Sequence, residues 1–162
     1  MTLNGGGGND VFNIDPFRDA LEVLADITVD GGAGSNTLNV VDTNEYTPPP
    51  GPWPPDDQRL TNYRLTASAL SKPPRGRGVA TIVIEYDDVD LLRLDANGLD
   101  NVIEVQGTPS GMTVELYGHD GNDQFRVDAG GLNSDVNIFG GDPDTPPGDS
   151  LHIAGTADRS GV

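Results

Sequence analysis

Three stretches place glycine and side-chain oxygens directly before a short alternating run. They are Gly118-His119-Asp120-Gly121-Asn122-Asp123 before Gln124–Val127, Gly5-Gly6-Gly7-Gly8-Asn9-Asp10 before Val11–Ile14, and Gly31-Gly32-Ala33-Gly34-Ser35-Asn36 before Thr37–Val40. Successive glycines let the backbone take positive φ and bring carbonyl oxygens close together. An Asp or Asn two residues ahead of the apolar run adds a side-chain oxygen. Such a donor set suits a hard cation, but one turn offers too few oxygens for Ca²⁺, which takes six to eight. Two turns stacked on one another offer enough, so a cation held here would join neighbouring turns.

The candidate ligands follow from that geometry. The carboxylate position reads Asp10, Asn36, Asn101, Asp123 and Asp149, with Asp120, Asp142 and Asp144 as further oxygen donors. Carbonyl donors would come from Gly5, Gly7, Gly31, Ala33, Gly118 and Gly140. Asp10 is expected to stack on Asn36, and Asn101, Asp123 and Asp149 to form a second ladder. The same turns can also ladder without metal, through side-chain to backbone hydrogen bonds of Asn and Asp. His119, a lone imidazole in an oxygen-rich turn, reads as solvated.

The elements that position these turns are short triplets with apolar outer residues and a polar middle. They are Phe12–Ile14, Ile27–Val29, Leu38–Val40, Leu92–Leu94, Ile103–Val105, Val114–Leu116, Phe125–Val127, Val136–Ile138 and Leu151–Ile153. The period of two marks half-buried strands. From Leu92 the triplets start at 92, 103, 114, 125 and 136, in steps of 11, as does the step from 27 to 38. Gly/Asx turns precede 12, 38, 103, 125 and 151, and other turns precede 27, 92, 114 and 136. The repeat is therefore about 22 residues with two strands, and the Gly/Asx turns are expected on one edge. Strands this short cannot stand as hairpins, but stacked they form parallel sheets around a thin core. The expected fold is an all-β, right-handed parallel β-solenoid of one domain over 1–162, with one long irregular insertion.

That insertion is 43–80, where Thr47–Pro55 reads TPPPGPWPP and Lys72–Gly78 reads KPPRGRG. It carries five of the nine positive charges, Arg59, Arg64, Lys72, Arg75 and Arg77. Two readings stand: it folds back and offsets the acidic body, or it presents Trp53, Tyr46 and Tyr63 as a binding loop. Residues 16–25 read equally as a helical turn or a strand.

Composition narrows the function classes. Of 162 residues, 21 are Asp and only 5 Glu, and the net charge is −17. So acidic a chain repels nucleic acid and anionic membrane surfaces. There are no cysteines, which excludes disulfides, thiolate metal sites and a Cys nucleophile. No apolar run approaches the roughly 20 residues of a membrane-spanning helix. The two His residues and the serines fall in no nucleophile motif, so no enzymatic activity is expected.

The Gly/Asx turns resemble the RTX, or hemolysin-type, nonapeptide G-G-x-G-x-D-x-U-x. Gly5–Asn13 fits at every defined position; Gly31–Asn39 fits with Asn36 for Asp, and Gly118–Arg126 with His119 for the second Gly. Gly140-Gly141-Asp142 with Pro147–Leu151 fits once Pro143–Pro146 is removed, and the stretch before Ile103 is degraded. The period here is 22 where the family has 18. The resemblance implies Ca²⁺ between stacked turns and an exported bacterial protein, extracellular or at the cell surface. The role that follows is a structural or adhesive module cut from a longer protein. Its partners would be neighbouring repeats, a second copy at the solenoid ends, or surface glycans. The alternatives are a carbohydrate-binding or carbohydrate-active β-helix using Trp53, and a metal-free structural repeat.

Overall fold

The structure is a computed structural model that describes residues 1–15, 25–42, 61–73, 81–142 and 146–155. Thirteen strands form within these residues: β1 Thr2–Asn4, β2 Val11–Ile14, β3 Ile27–Asp30, β4 Thr37–Val41, β5 Thr61–Leu65, β6 Ala69–Lys72, β7 Ile82–Asp87, β8 Leu91–Asp95, β9 Asn101–Val105, β10 Thr113–Tyr117, β11 Gln124–Asp128, β12 Asp135–Phe139 and β13 Ser150–Ala154. Each of the nine apolar triplets lies inside a strand. A single 3-10 turn, Ala129–Gly131, separates β11 from β12.

The strands make two sheets. The larger has the order β1-β3-β7-β6-β5-β9-β11-β13, the smaller β12-β10-β8-β4-β2. Every pairing is parallel except those of β6 with β5 and β7. Outside β5–β7 the chain alternates between the sheets, so consecutive strands never pair and each turn must cross from one sheet to the other. Like residues then stack in register: Phe12 on Leu38, Leu38 on Leu92, Leu92 on Val114 and Val114 on Val136. The outer residues of the triplets fill the space between the sheets. Val29, Leu38, Val40, Leu92, Leu94, Ile103, Val114 and Leu116 are all fully buried. The middle residues line up outside, Glu104 beside Arg126 and His152 on one sheet, Arg93 beside Glu115 and Asn137 on the other.

The 22-residue register holds for β8 on β10, β9 on β11 and β10 on β12. Across the 43–80 stretch it does not carry over as the spacing suggests. The Leu38 triplet stacks on the Leu92 triplet, not on Ile103. Because all strands of the smaller sheet run one way, the two sets of turns fall at opposite margins. Gly5–Asp10 and Gly31–Asn36 lead from the larger sheet to the smaller. Gly118–Asp123 and Gly140–Asp149 lead from the smaller to the larger. The single-edge expectation is therefore corrected to two ladders on two margins.

The cause is β5–β7. Within 43–80, strands β5 and β6 enter the larger sheet as an antiparallel pair between β7 and β9. In the smaller sheet β8 and β10 touch directly. Two extra strands on one side alone open that side by about 10 Å, at the usual strand spacing of about 4.8 Å. Tyr63, Leu65 and Leu70 fill the gap, each with at most 1% of its surface exposed. Tyr63, which one of the two readings placed on a presented binding loop, is thus a core residue. Trp53 and Tyr46 lie outside the described residues.

The core is one layer thick, so a single truncation is not absorbed by neighbours. Leu92→Ala should lower stability by about 2–5 kcal/mol, the range for a buried leucine. Leu151→Ala, whose side chain is 55% exposed at the last strand, should change it by no more than about 0.5 kcal/mol. Urea unfolding followed by circular dichroism measures both.

Candidate metal centre

At the first margin the turn Gly5–Asp10 lies on Gly31–Asn36. Gly8 N donates to Ala33 O and Ala33 N to Gly6 O, each at 2.8 Å. The contact is close because both strips are glycine-rich: a Cβ on Gly32 would sit 2.2 Å from Gly6 O, and one on Gly34 1.6 Å from Gly8 O. Side chains then clasp the rungs in both directions. Ser35 N donates back to Asn9 Oδ1 at 3.0 Å, and Asp10 N donates forward to Asn36 Oδ1 at 3.1 Å. The second margin repeats this pattern. Asn122 N donates to Asp100 Oδ1 at 2.9 Å, and Asn101 N to Asp123 Oδ1 at 2.8 Å. Asp123 N in turn donates to Asp149 Oδ1 at 2.9 Å.

The structure thus brings Asp10 to Asn36, and Asn101 to Asp123 and Asp149. It extends the first ladder by a member the sequence reading missed: Asn36 N donates to Asp90 Oδ2 at 2.7 Å. Asp90 stands two residues before Leu92, the same place that Asp10 holds before Phe12, so position alone could have found it. Asp120 and Asp142 are exposed. Asp144 lies outside the described residues. His119, at the second-Gly position, takes φ 70°, where Gly6 and Gly32 take 83° and 75°. Its Nε2 lies 3.1 Å from Asp95 Oδ1 and its ring stacks on Tyr117.

Whether the ladder residue is Asn or Asp decides what the turn needs. Asn36 Nδ2 donates to Gly32 O at 3.1 Å and to Asp88 O at 3.0 Å. Asn101 Nδ2 faces Asn97 O at 2.8 Å, Leu99 O at 2.6 Å and Asp123 Oδ1 at 3.0 Å. Four oxygens surround this atom when Gly118 O, at 3.4 Å, is included. Only a nitrogen fits there, so the amide orientation is fixed by its surroundings. In both Asn turns an N–H₂ group neutralises a nest of carbonyls.

The Asp turns put an oxygen in that place. Asp10 Oδ2 and Asp123 Oδ2 are buried with no hydrogen-bond partner among the described residues. Asn101 Oδ1 is likewise without one among them. At Gly118 a Cβ would lie 2.1 Å from Asp123 Oδ2 and 2.5 Å from Gly140 O; at Gly5 it would lie 2.5 Å from both Asp10 Oδ2 and Gly31 O. The same juxtaposition occurs at both margins: a carboxylate oxygen of one turn and a carbonyl of the next converge over a bare glycine. A third, Asp149 Oδ2, stands 2.2 Å from the corresponding point at Gly140. Two oxygens facing each other repel unless a proton or a cation lies between them.

Asp123 is 0% exposed. Burial pushes its carboxyl from the ordinary 3.8 up to about 6; the Asn101 hydrogen bonds oppose the shift, and the charges of Asp149 and Asp100 add to it. Near neutrality the group is still largely ionised, so a buried charge remains to be met. Among the described residues no group of three or more His, Cys, Asp or Glu side chains could hold a metal ion. Any cation here must be held mainly by carbonyls with one carboxylate per turn. The orphaned Asp10 and Asp123 oxygens fit such a donor set. The Asn36 and Asn101 positions do not, because their amide hydrogens already occupy the place of the ion.

No protein-family model matches the chain, and no curated protein matches it in sequence. No helix among the described residues is long and apolar enough to cross a membrane.

The raised Asp123 value fixes a sign. The folded chain holds this proton up to about pH 6, while the unfolded chain releases it near 3.8. Its contribution therefore favours the fold below the unfolded value and is lost as pH rises through the folded one. In chelator, the melting temperature should carry a component that falls between about pH 4 and about pH 7. Asp123→Asn, which supplies the amide hydrogens seen at Asn101, should remove that component and raise stability at neutral pH by roughly 1–3 kcal/mol.

Proposed function

We propose that this chain is a segment of a right-handed parallel β-solenoid belonging to an extracellular or cell-surface protein. Its turns are a variant of the RTX-type repeat, and Ca²⁺ bound between successive turns stiffens it as a structural or adhesive module. The observation that carries the reading is Asp123: a fully buried carboxylate whose Oδ2 has no partner among the described residues and meets Gly140 O of the next turn over Gly118. Asp10 with Gly31 O supports it at the other margin. The net charge of −17 supports it as well, since bound cations offset the repulsion that packing such turns creates.

Asp10 and Gly5 with the Gly31 carbonyl would hold one ion, and Asp123 and Gly118 with the Gly140 carbonyl another. Asp149 would join a further turn. The bound ion would supply positive charge and nothing else. It would neutralise the carboxylate and tie carbonyls of adjacent turns, so binding and folding are one equilibrium. Without it, like-charged turns loosen the stack. With it, at the 10⁻⁴–10⁻³ M affinities typical of extracellular modules, the turns lock at about millimolar Ca²⁺.

Melting followed by circular dichroism tests this. Added Ca²⁺ should raise the melting temperature over a chelator control, with Mg²⁺ less effective because it demands six-fold geometry and gives up its water reluctantly. The gain should shrink in Asp123→Asn and in Gly118→Ala, the second of which places a methyl group where two oxygens meet. A melting temperature indifferent to Ca²⁺ would leave the ladder a metal-free device.

A further inference from the structure

The two strands inserted between β7 and β9 bring a lysine into the core. Lys72 pairs with Ile82 across β6 and β7, and its inward-facing neighbour in β6 is Leu70. A position in this row calls for an apolar side chain. Lys72 is instead 2% exposed, and its Nζ contacts Oδ2 of Asp42, which is 0% exposed. Tyr63 Oη donates to the same Oδ2 at 2.6 Å, and Asn97 Nδ2 approaches Tyr63 Oη at 3.5 Å. Asp42 is itself held to the neighbouring strand, its N–H donating to Asp95 O at 2.8 Å. Amine, carboxyl and hydroxyl thus meet in one dry site on a rigid sheet framework.

An ion pair in such a place bears the desolvation of two charges. Moving one proton from the ammonium to the carboxylate removes both, and leaves the nucleophilic and electrophilic forms of the two groups side by side. We propose that Lys72 and Asp42 condense to an intramolecular isopeptide bond. Lys72 Nζ attacks Asp42 Cγ, and the Tyr63 hydroxyl stabilises the negative charge developing on Oδ2. The Cγ–Oδ1 bond breaks, and Oδ1 leaves as water with the two protons that nitrogen loses. The product amide keeps one N–H, with Oδ2 as its carbonyl oxygen. Charge and atoms balance with no oxidant, metal or co-reactant.

The bond would close a loop that starts at the end of β4 and returns at the end of β6, across 30 positions. That loop holds the Pro-rich stretch, so the linkage would tie the insertion to the stack. In a chain without cysteine it would do what a disulfide does elsewhere, restricting the unfolded state.

Intact-mass spectrometry of the purified chain, after prolonged incubation, tests the proposal. The expected mass is that of the sequence less one water, with fragmentation giving a branched peptide that joins Asp42 to Lys72. Lys72→Arg should return to the full sequence mass. A full mass in the natural chain would overturn the proposal. So would a loss of water that persists in Lys72→Arg, since that assigns the loss to a cyclised Asp-Gly pair such as Asp30-Gly31. Neither reading depends on Ca²⁺, so the outcome is independent of the metal proposal.

Discussion

Parallel stacking in register is the constraint on which this structure rests. It places each turn against an equivalent turn, so any group that a turn fails to satisfy internally is presented to a copy of itself. In apolar positions this is an advantage, because Leu38, Leu92 and Val114 meet as a column. In the turns it is a difficulty, because carbonyls and carboxylates meet others of the same sign. The reciprocal clasp meets part of it: Asn9 with Ser35 and Asp10 with Asn36 at one margin, and Asp100 with Asn122 and Asn101 with Asp123 at the other. Each such bond contributes about 1 kcal/mol net, but leaving a buried polar atom unmet costs about 1–3 kcal/mol. The second figure decides the matter, and at the carbonyl nest it falls on the Asp turns, where Oδ2 of Asp10 and of Asp123 stands in place of an amide group.

The insertion shows the same constraint from the other side. Strands β5 and β6 widen the larger sheet without widening the smaller, and the stack survives only because the gap is filled. Aromatic and aliphatic side chains, Tyr63, Leu65 and Leu70, do most of this. The remaining volume goes to a polar group of four, Asp42, Tyr63, Lys72 and Asn97, in which Tyr63 bonds Asp42 and Lys72 lies near the Tyr63 ring. The two ladders stand at different margins because the glycine-rich turns change which sheet they lead into. Before the insertion, the glycine-rich turns follow strands of the larger sheet, and after it they follow strands of the smaller.

Much of this was legible from residues alone. The triplets gave strand positions because alternation is a local property, and nothing distant could move Phe125-Arg126-Val127 out of register with its own turn. The pairing of Asn101 with Asp123 and Asp149 followed from the spacing. What failed was counting across 43–80. After Leu38 the next triplet is at Leu92, off the 11-residue step, and two strands within the gap, β5 and β6, are too polar and too brief to announce themselves. Lys72 stands in the sequence only as one of five positive charges of the insertion. A lone lysine carries no local sign that its strand neighbour Leu70 faces a core, and only the pairing with Ile82 turns both inward. Asp90 was a different kind of miss, since it occupies the ladder position and lacks only the glycines before it.

Those missing glycines bear on what the ladder requires. At Asp87-Asp88-Val89-Asp90 the backbone still turns, with Asp88 at φ 50° in the place of a glycine, and Asp88 O still receives the Asn36 amide. His119 does likewise at φ 70°, and its carbonyl accepts from Asp142 N at 3.1 Å. Left-handed geometry recurs in the rungs at Gly6, Gly32, Asp88, His119 and Gly141, whereas glycine itself is needed only where the next turn presses on the Cα. Gly118 is such a place, with Asp123 Oδ2 and Gly140 O both over it. The motif read as a run of glycines is better read as two separate demands. One is for positive φ, which Asp88 and His119 meet at some strain. The other is for an open face, which no side chain can meet; at Gly5 and Gly118 a carboxylate oxygen and a carbonyl of the next turn lie over it.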